Sequence, residues 1–87
     1  MSGINTITVR YFASIREAMG TGSEQRQTAA ATVGALREEL MGQSPSAAEA
    51  LAHGKAVRMA LNQDMCLGDA ALKSGDEVAF FPPVTGG

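Results

Sequence analysis

Residues 4–12 alternate. Ile7, Val9 and Tyr11 fall on one side of an extended chain and Thr6, Thr8 and Arg10 on the other, the period-two pattern of a half-buried strand. Phe12 interrupts the polar side. Ser14 is placed to cap a short helix in which Ile15, Ala18 and Met19 share a face, and Gly20 suits its C-terminal end. Thr21 to Thr28 is polar throughout and reads as a return strand on a sheet edge, with no hydrophobic face of its own. Thr32 is a natural N-cap for the main helix, whose stripe of Val33, Leu36 and Leu40 ends near Gly42. Ser46-Ala47-Ala48-Glu49 fits a capping box and predicts a second short helix that runs to His53 and stops at Gly54.

Period two then returns. Val57, Met59 and Leu61 alternate with Arg58, Ala60 and Asn62 as a third strand, and Asn62-Gln63-Asp64 supplies a turn into a short strand at Met65-Cys66. Asp69-Ala70-Ala71-Leu72 reads as a single turn and Ser74-Gly75-Asp76 as a tight turn. Glu77 to Phe81 reads as the last strand, with Val78 and Phe80 inward and Phe81 outward. The order β, β, α, β, β suits an α+β domain in which a mixed sheet wraps one main helix, the β-grasp or ubiquitin-like fold. The right-handed crossover rule puts the first and last strands side by side and parallel. Residues 1–81 then form the domain and 82–87 an extended tail. Such a fold carries many functions and selects none.

Composition narrows the classes. Eighty-seven residues support one domain with one modest core. Hydrophobic residues at 45% and charged residues at 18% describe an ordered globule rather than a disordered chain. Seven Lys+Arg against nine Asp+Glu give a net charge of −2 with no basic cluster, which argues against a nucleic-acid partner. Met1-Ser2-Gly3-Ile4-Asn5-Thr6 has no basic leader followed by an apolar run, and no window approaches the ~18 apolar residues of a membrane span. The expectation is a cytoplasmic protein without membrane contact.

Side-chain chemistry is sparse. There is no Ser/His/Asp set, no glycine-rich phosphate loop and no Cys/His ligand spacing, so no metal site is expected. Single copies of cysteine and histidine allow neither an internal disulfide nor a metal cluster. His53, near a helix end, reads as a solvated surface residue. Cys66, between Met65 and Leu67, reads as a small core hydrophobe rather than a nucleophile. Asp76-Glu77 beside Gly75 reads as a turn and a solvated strand start rather than an acid pair.

The chain ends Phe80-Phe81-Pro82-Pro83-Val84-Thr85-Gly86-Gly87. Two prolines must end the strand, since proline has no N–H for a ladder and fixes φ near −65°. Extended at ~3.3–3.6 Å per residue, the segment beyond the strand could carry Gly87 about 13–20 Å outward, far enough to enter another protein's pocket. Neither Gly86 nor Gly87 has a Cβ, so the end is bare backbone with one carboxylate. A frayed terminus is the plain alternative. Two final glycines arise by chance in about 0.5% of chains, which makes chance a poor account and Gly-Gly alone a weak signal.

The longer stretch from Gly75-Asp76-Glu77 through Pro82-Pro83-Val84-Thr85-Gly86-Gly87 resembles the C-terminus of the small, sulfur-carrying subunits of molybdopterin synthase. The similarity extends more loosely to the first strand and helix, to the Thr32-Val33-x-x-Leu36 helix start and to Leu61-Asn62-Gln63; residues 43–55 match least. What it implies is that Gly87 is adenylated by an ATP-dependent activating enzyme, converted to a thiocarboxylate, and donates sulfur for dithiolene formation in the molybdenum cofactor. The tail residues Pro82, Pro83, Val84, Thr85 and Gly86 would insert into the large, catalytic subunit in a heterotetramer, with a sulfurtransferase as sulfur source. The chain would bind no cofactor and supply no catalytic residues of its own, ATP being used by the activating enzyme. Two alternatives stay open: a carrier for thiamine thiazole synthesis, and a ubiquitin-like modifier or plain binding domain. Alternation also places Phe12 and Phe81 on the outer sheet face near the tail, with Met65 close by. That apolar patch is expected to bind partners, the alternative being that a ring folds over the sheet edge as peripheral core.

Overall fold

The structure, a computed structural model, describes residues 3–82; Pro83, Val84, Thr85, Gly86, Gly87 and the side chain of His53 lie outside the described residues, and with them the readings placed on these positions. Five strands form one mixed sheet: β1 (Asn5–Tyr11), β2 (Ser23–Thr28), β3 (Arg58–Leu61), β4 (Asp64–Cys66) and β5 (Glu77–Phe81). Their spatial order is β2-β1-β5-β3-β4, with β1 and β5 parallel and the other pairs antiparallel. Three helices, α1 (Ala13–Met19), α2 (Val33–Met41) and α3 (Pro45–Ala50), complete the β-grasp.

The alternation of β1 and β5 decides which face is wet. Ile7, Val9, Tyr11, Val78 and Phe80 are at most 1% exposed and pack on Val33, Leu36 and Leu40 of α2, with Ile15, Leu51, Val57 and Leu72 closing the edges. Met59 and Leu61 of β3 lie partly buried against this core, while Ala60 points to the opposite face. Asn62 and Gln63, at φ 51° and 74°, turn β3 into β4 in the left-handed pair that matches strand twist in a two-residue hairpin.

The edge strand β2 explains its missing hydrophobic face. Its inward residues Glu24, Arg26 and Thr28 are polar because they meet polar partners. Tyr11 donates its hydroxyl to Glu24 at 2.6 Å, Arg26 Nε donates to Glu39 of α2 at 2.8 Å, and Thr28 donates to the other Glu39 oxygen at 2.5 Å. Burial, then the Glu24 carboxylate, pushes the Tyr11 phenol well above its usual range. Burial would raise the Glu39 carboxyl, but the Thr28 and Arg26 hydrogen bonds outweigh it and hold the pKa low. The strand is tied to the sheet by ladder bonds and to the helix by charge.

Helix starts differ from expectation at two serines. Ser14 does not cap α1: the first helical bonds run from Ile15 and Arg16 N–H to the Phe12 carbonyl, so the helix begins directly off the strand and Ser14 lies inside it. Gly20 ends it in the left-handed region at φ 80°. The cap of α3 is Ser44, not Ser46; its hydroxyl accepts from Ala47 N–H at 3.1 Å, and Pro45 takes the first helical position, where no N–H is needed. This helix also ends earlier than expected, at Ala50, and His53–Lys55 form a separate 3₁₀ turn. The cause is Arg37 of α2, 7% exposed, which donates to the carbonyls of Leu51 at 2.7 Å and Ala52 at 2.9 Å and so replaces the next helical turn.

Thr32 caps α2 as expected, accepting from Ala35 N–H. The remaining free donors of that first turn are met by the segment after β4: Val33 N–H reaches the Ala70 carbonyl at 2.9 Å and Gly34 N–H the Gly68 carbonyl at 2.8 Å. The turn expected over residues 69–72 is therefore displaced. A turn sits one residue earlier, at Gly68-Asp69, closed by Ala70 N–H on the Leu67 carbonyl at 3.2 Å; from Ala70 the chain runs extended, Ala71 bridging Thr32 and Leu72 N–H bonding the Ala31 carbonyl, because the Gly68 and Ala70 carbonyls serve the helix terminus.

Candidate functional site

The parallel register brings the two outward phenylalanines together. Arg10 pairs with Ala79 and Tyr11 with Phe80, so Phe12 and Phe81 come next on the outer face, and Phe12 N–H extends the ladder to the Phe80 carbonyl. Their rings stack with centroids 4.8 Å apart and planes 12° from parallel. Each covers one face of the other, so both are half-buried rather than fully exposed as the alternation suggested.

Around the stack the outer face is a shallow groove of about 360 Å³. Its floor is Ala60 and Ala79, paired across β3 and β5, and its walls are the stack on one side and Gln63 and Met65 on the other. The alanines are buried at 3% and 7% although they lie on the solvent side, since the taller side chains around them shield the floor. Met65 is 60% exposed and Leu67, next along the same edge, 75%. Arg10 lies 5.6 Å over the Phe12 ring and 3.5 Å from the Glu77 carboxylate. The patch residues Phe12, Met65 and Phe81 thus share one surface, and Pro82 follows directly.

Pro82 is half-buried and lines a separate hollow of about 190 Å³ with Ser14, Ile15 and Ala18 of α1 and Ala50, Lys55 and Val57. The base of the tail is thereby set beside the stack.

The other sequence candidates do not assemble. Cys66, half-buried, faces Met59 across the β3–β4 ladder, and burial, followed by the Asp69 charge, pushes its thiol up, so the nucleophilic thiolate is disfavoured. Asp76 closes the expected turn, its N–H on the Lys73 carbonyl at 3.1 Å, and it is buried there: 8% exposed, it accepts from the Asn62 amide at 3.0 Å and from Lys73 N–H at 2.7 Å, and is held below the usual carboxylate range chiefly by the Asn62 bond. Asn62 accepts in turn from Glu77 N–H, clamping the hairpin to the start of β5. Among the described residues no group of three His, Cys, Asp or Glu side chains could hold a metal ion, and no helix is long and apolar enough to cross a membrane. What these residues present is a shallow apolar face beside the end of β5. Ala60 and Ala79 were missed as its floor; two small residues at outward strand positions were the available signal.

Similarity to known proteins agrees with this architecture. A protein of Escherichia coli (strain K12) called molybdopterin synthase sulfur carrier subunit is 47% identical over 81 residues, covering 93% of this chain and 99% of that one. Subunit 1 or 2 of a protein–protein complex of molybdopterin-converting factor from Helicobacter pylori superposes with a TM-score of 0.63 at 29% identity, covering 94% of this chain and 99% of the other. The small archaeal modifier protein 1 of Haloferax volcanii superposes with a TM-score of 0.73 at 26% identity, over 92% of this chain and 99% of that one. The model of the ThiS family matches residues 9–87. The chain belongs to the ThiS family.

Proposed function

We propose that this protein is the sulfur-carrier subunit of a molybdopterin synthase, and that the sulfur rides on the carboxyl group of Gly87. The observation that carries this reading is the 47% identity, over nearly the whole of both chains, to a protein named for that role. The Gly-Gly end of the sequence and the apolar outer face formed by Phe12, Phe81 and Met65 accord with it.

A carboxylate is a poor electrophile, ionised at neutral pH because an α-carboxyl titrates near ~3.5. An activating enzyme therefore uses ATP to adenylate Gly87, releasing pyrophosphate and turning a carboxyl oxygen into a leaving group; the terminal sulfur of a sulfurtransferase persulfide displaces AMP to give an acyl disulfide, and a thiol reductant cleaves that S–S bond, itself becoming a disulfide, to leave the thiocarboxylate. Residues 82–87 then act as an arm that enters the large subunit, where the thiocarboxylate delivers sulfur to a cyclic pterin phosphate. Phe12, Phe81 and Met65 hold the carrier on the large subunit, in a heterotetramer, and on the activating enzyme. The carrier needs no bound cofactor for this work, and an unpaired cysteine suits a cytoplasmic setting.

The likeness to an archaeal modifier favours a second reading, transfer of the Gly87 acyl group to lysines of other proteins. Sulfur transfer in a reconstituted synthase separates the two. The full chain should support dithiolene formation, and a chain lacking Gly87, or extended by one residue, should fold normally and support none. Activity retained by the shortened chain would overturn the assignment.

A further inference from the structure

Arg58 stands in the middle of the outer apolar face. It pairs with Phe81 across the β3–β5 ladder, and it lines with Met65 and Leu67 a second hollow of about 330 Å³ at the β4 edge. Phe81 thus flanks it on one side and two exposed apolar side chains on the other. The side chain is exposed, and among the described residues no carboxylate lies within 4.0 Å of its guanidinium. Arg10, the other cation of this face, differs: Glu77 at 3.5 Å already neutralises it and the Phe12 ring lies beneath it.

The difference matters once a partner covers the face. Arg10 takes its counter-ion into the interface. Arg58 would lose water from its guanidinium with nothing in this chain to replace it, and an arginine stripped of solvent without a partner opposes binding. We infer that the protein docking on this face presents a carboxylate to Arg58, beside an apolar side chain seated over Ala60 and Ala79. The inference rests on the docking role proposed above for Phe12, Phe81 and Met65. It makes Arg58 the specificity-determining residue of the surface: the apolar groove supplies affinity for any complementary knob, and the unpaired cation selects a partner with an acid at one point. The chain as a whole is at −2, so this cation also gives the docking face a local sign opposite to the rest.

The test is a binding titration against the large subunit of molybdopterin synthase from the same organism, at low and high salt, with Arg58→Met, Arg10→Met and Phe81→Ala. Methionine keeps the apolar stem and removes the charge. With a facing carboxylate, Arg58→Met leaves that acid unpaired, so affinity should fall about tenfold or more at low salt and the salt dependence should flatten. Arg10→Met should change affinity by less than about threefold. Unchanged or tighter binding by Arg58→Met, with Phe81→Ala still weakened, would overturn the inference and leave the docking face standing. Unchanged binding by Phe81→Ala would remove the docking face itself and the inference with it. Thermal melts of the variants serve as the folding control, and Arg58→Met should melt close to the parent because the charge it removes has no ion pair among the described residues and methionine keeps the apolar stem beside Phe81, Met65 and Leu67.

Discussion

Gly34 and Gly68 meet backbone to backbone: a Cβ built on Gly34 would stand 2.9 Å from the Gly68 carbonyl oxygen, the same oxygen that accepts the Gly34 N–H bond. The first turn of the main helix is capped by a neighbouring chain segment, and only glycine lets that segment come close enough. A Cβ on Gly68 is less confined, its nearest neighbour being the Gly34 Cα at 3.4 Å.

Gly34→Ala should therefore destabilise the fold even though alanine favours helix. Overpacking against rigid backbone costs about 1–3 kcal/mol, more than the ~0.5–1 kcal/mol gained in helix propensity. For a domain of this size each kcal/mol lowers the melting temperature by about 4–8 °C. Gly68→Ala should cost less. A Gly34→Ala melt at or above the parent would show that the contact yields freely.

Stability should fall at both ends of the pH scale. Asp76 and Glu39 are held below their ordinary range in the folded chain, so the unfolded chain binds more protons as pH falls below the ordinary carboxylate range near ~4, and their contribution, full above it, is lost through that acid region. Tyr11 is shifted the other way. Its contribution is full below the ordinary phenol value near ~10 and is lost as pH rises beyond it towards the folded value. Asp76→Asn should flatten the acid limb and Tyr11→Phe the alkaline limb of a melting-temperature profile; limbs of unchanged slope would mean that other groups set them.

Phe81→Ala should weaken binding to the large subunit roughly thirty-fold, since truncating an aromatic anchor at an interface costs about 2 kcal/mol. The ring is half-buried on the outer face, stacked on Phe12 and outside the buried core cluster, so the loss in melting temperature should be small. Parent-like affinity together with a large fall in melting temperature would assign the ring to the core.

Cys66→Ser should be dispensable for sulfur loading. A half-buried thiol at the core margin contributes modestly, so the variant should lose about 1 kcal/mol. The thiocarboxylate yield, read by mass, should match the parent. A folded variant with lost yield would implicate the Cys66 thiol in relaying sulfur.

Much of the fold was legible because β1 and β5 follow period two and α2 follows a clean stripe; Val9, Val78 and Leu36 face inward with no competing signal. The Phe12–Phe81 pairing was legible too, since a parallel crossover plus alternation leaves the two rings one place to go. Other features were fixed by distant partners that no local window contains. Residues 69–72 read as a turn in isolation, but the turn falls at Gly68-Asp69 and the carbonyls of Gly68 and Ala70 are recruited to the open donors of α2. The end of α3 is set by Arg37, fourteen and more residues away. Ser46 offered a plausible capping box, yet Ser44 followed by Pro45 was the stronger local cue, because proline at the first helical position needs no hydrogen bond. Arg58 drew no notice because an unpaired cation on a strand is visible only once its neighbours are placed.

The central claim is that the Gly87 carboxyl carries sulfur, and intact-protein mass spectrometry tests it most directly. After incubation with the activating enzyme, ATP and a sulfur source, the full chain should gain about 16 Da, the replacement of one oxygen by sulfur, and a chain lacking Gly87 should gain nothing. An unchanged mass for the full chain under those conditions would contradict the account.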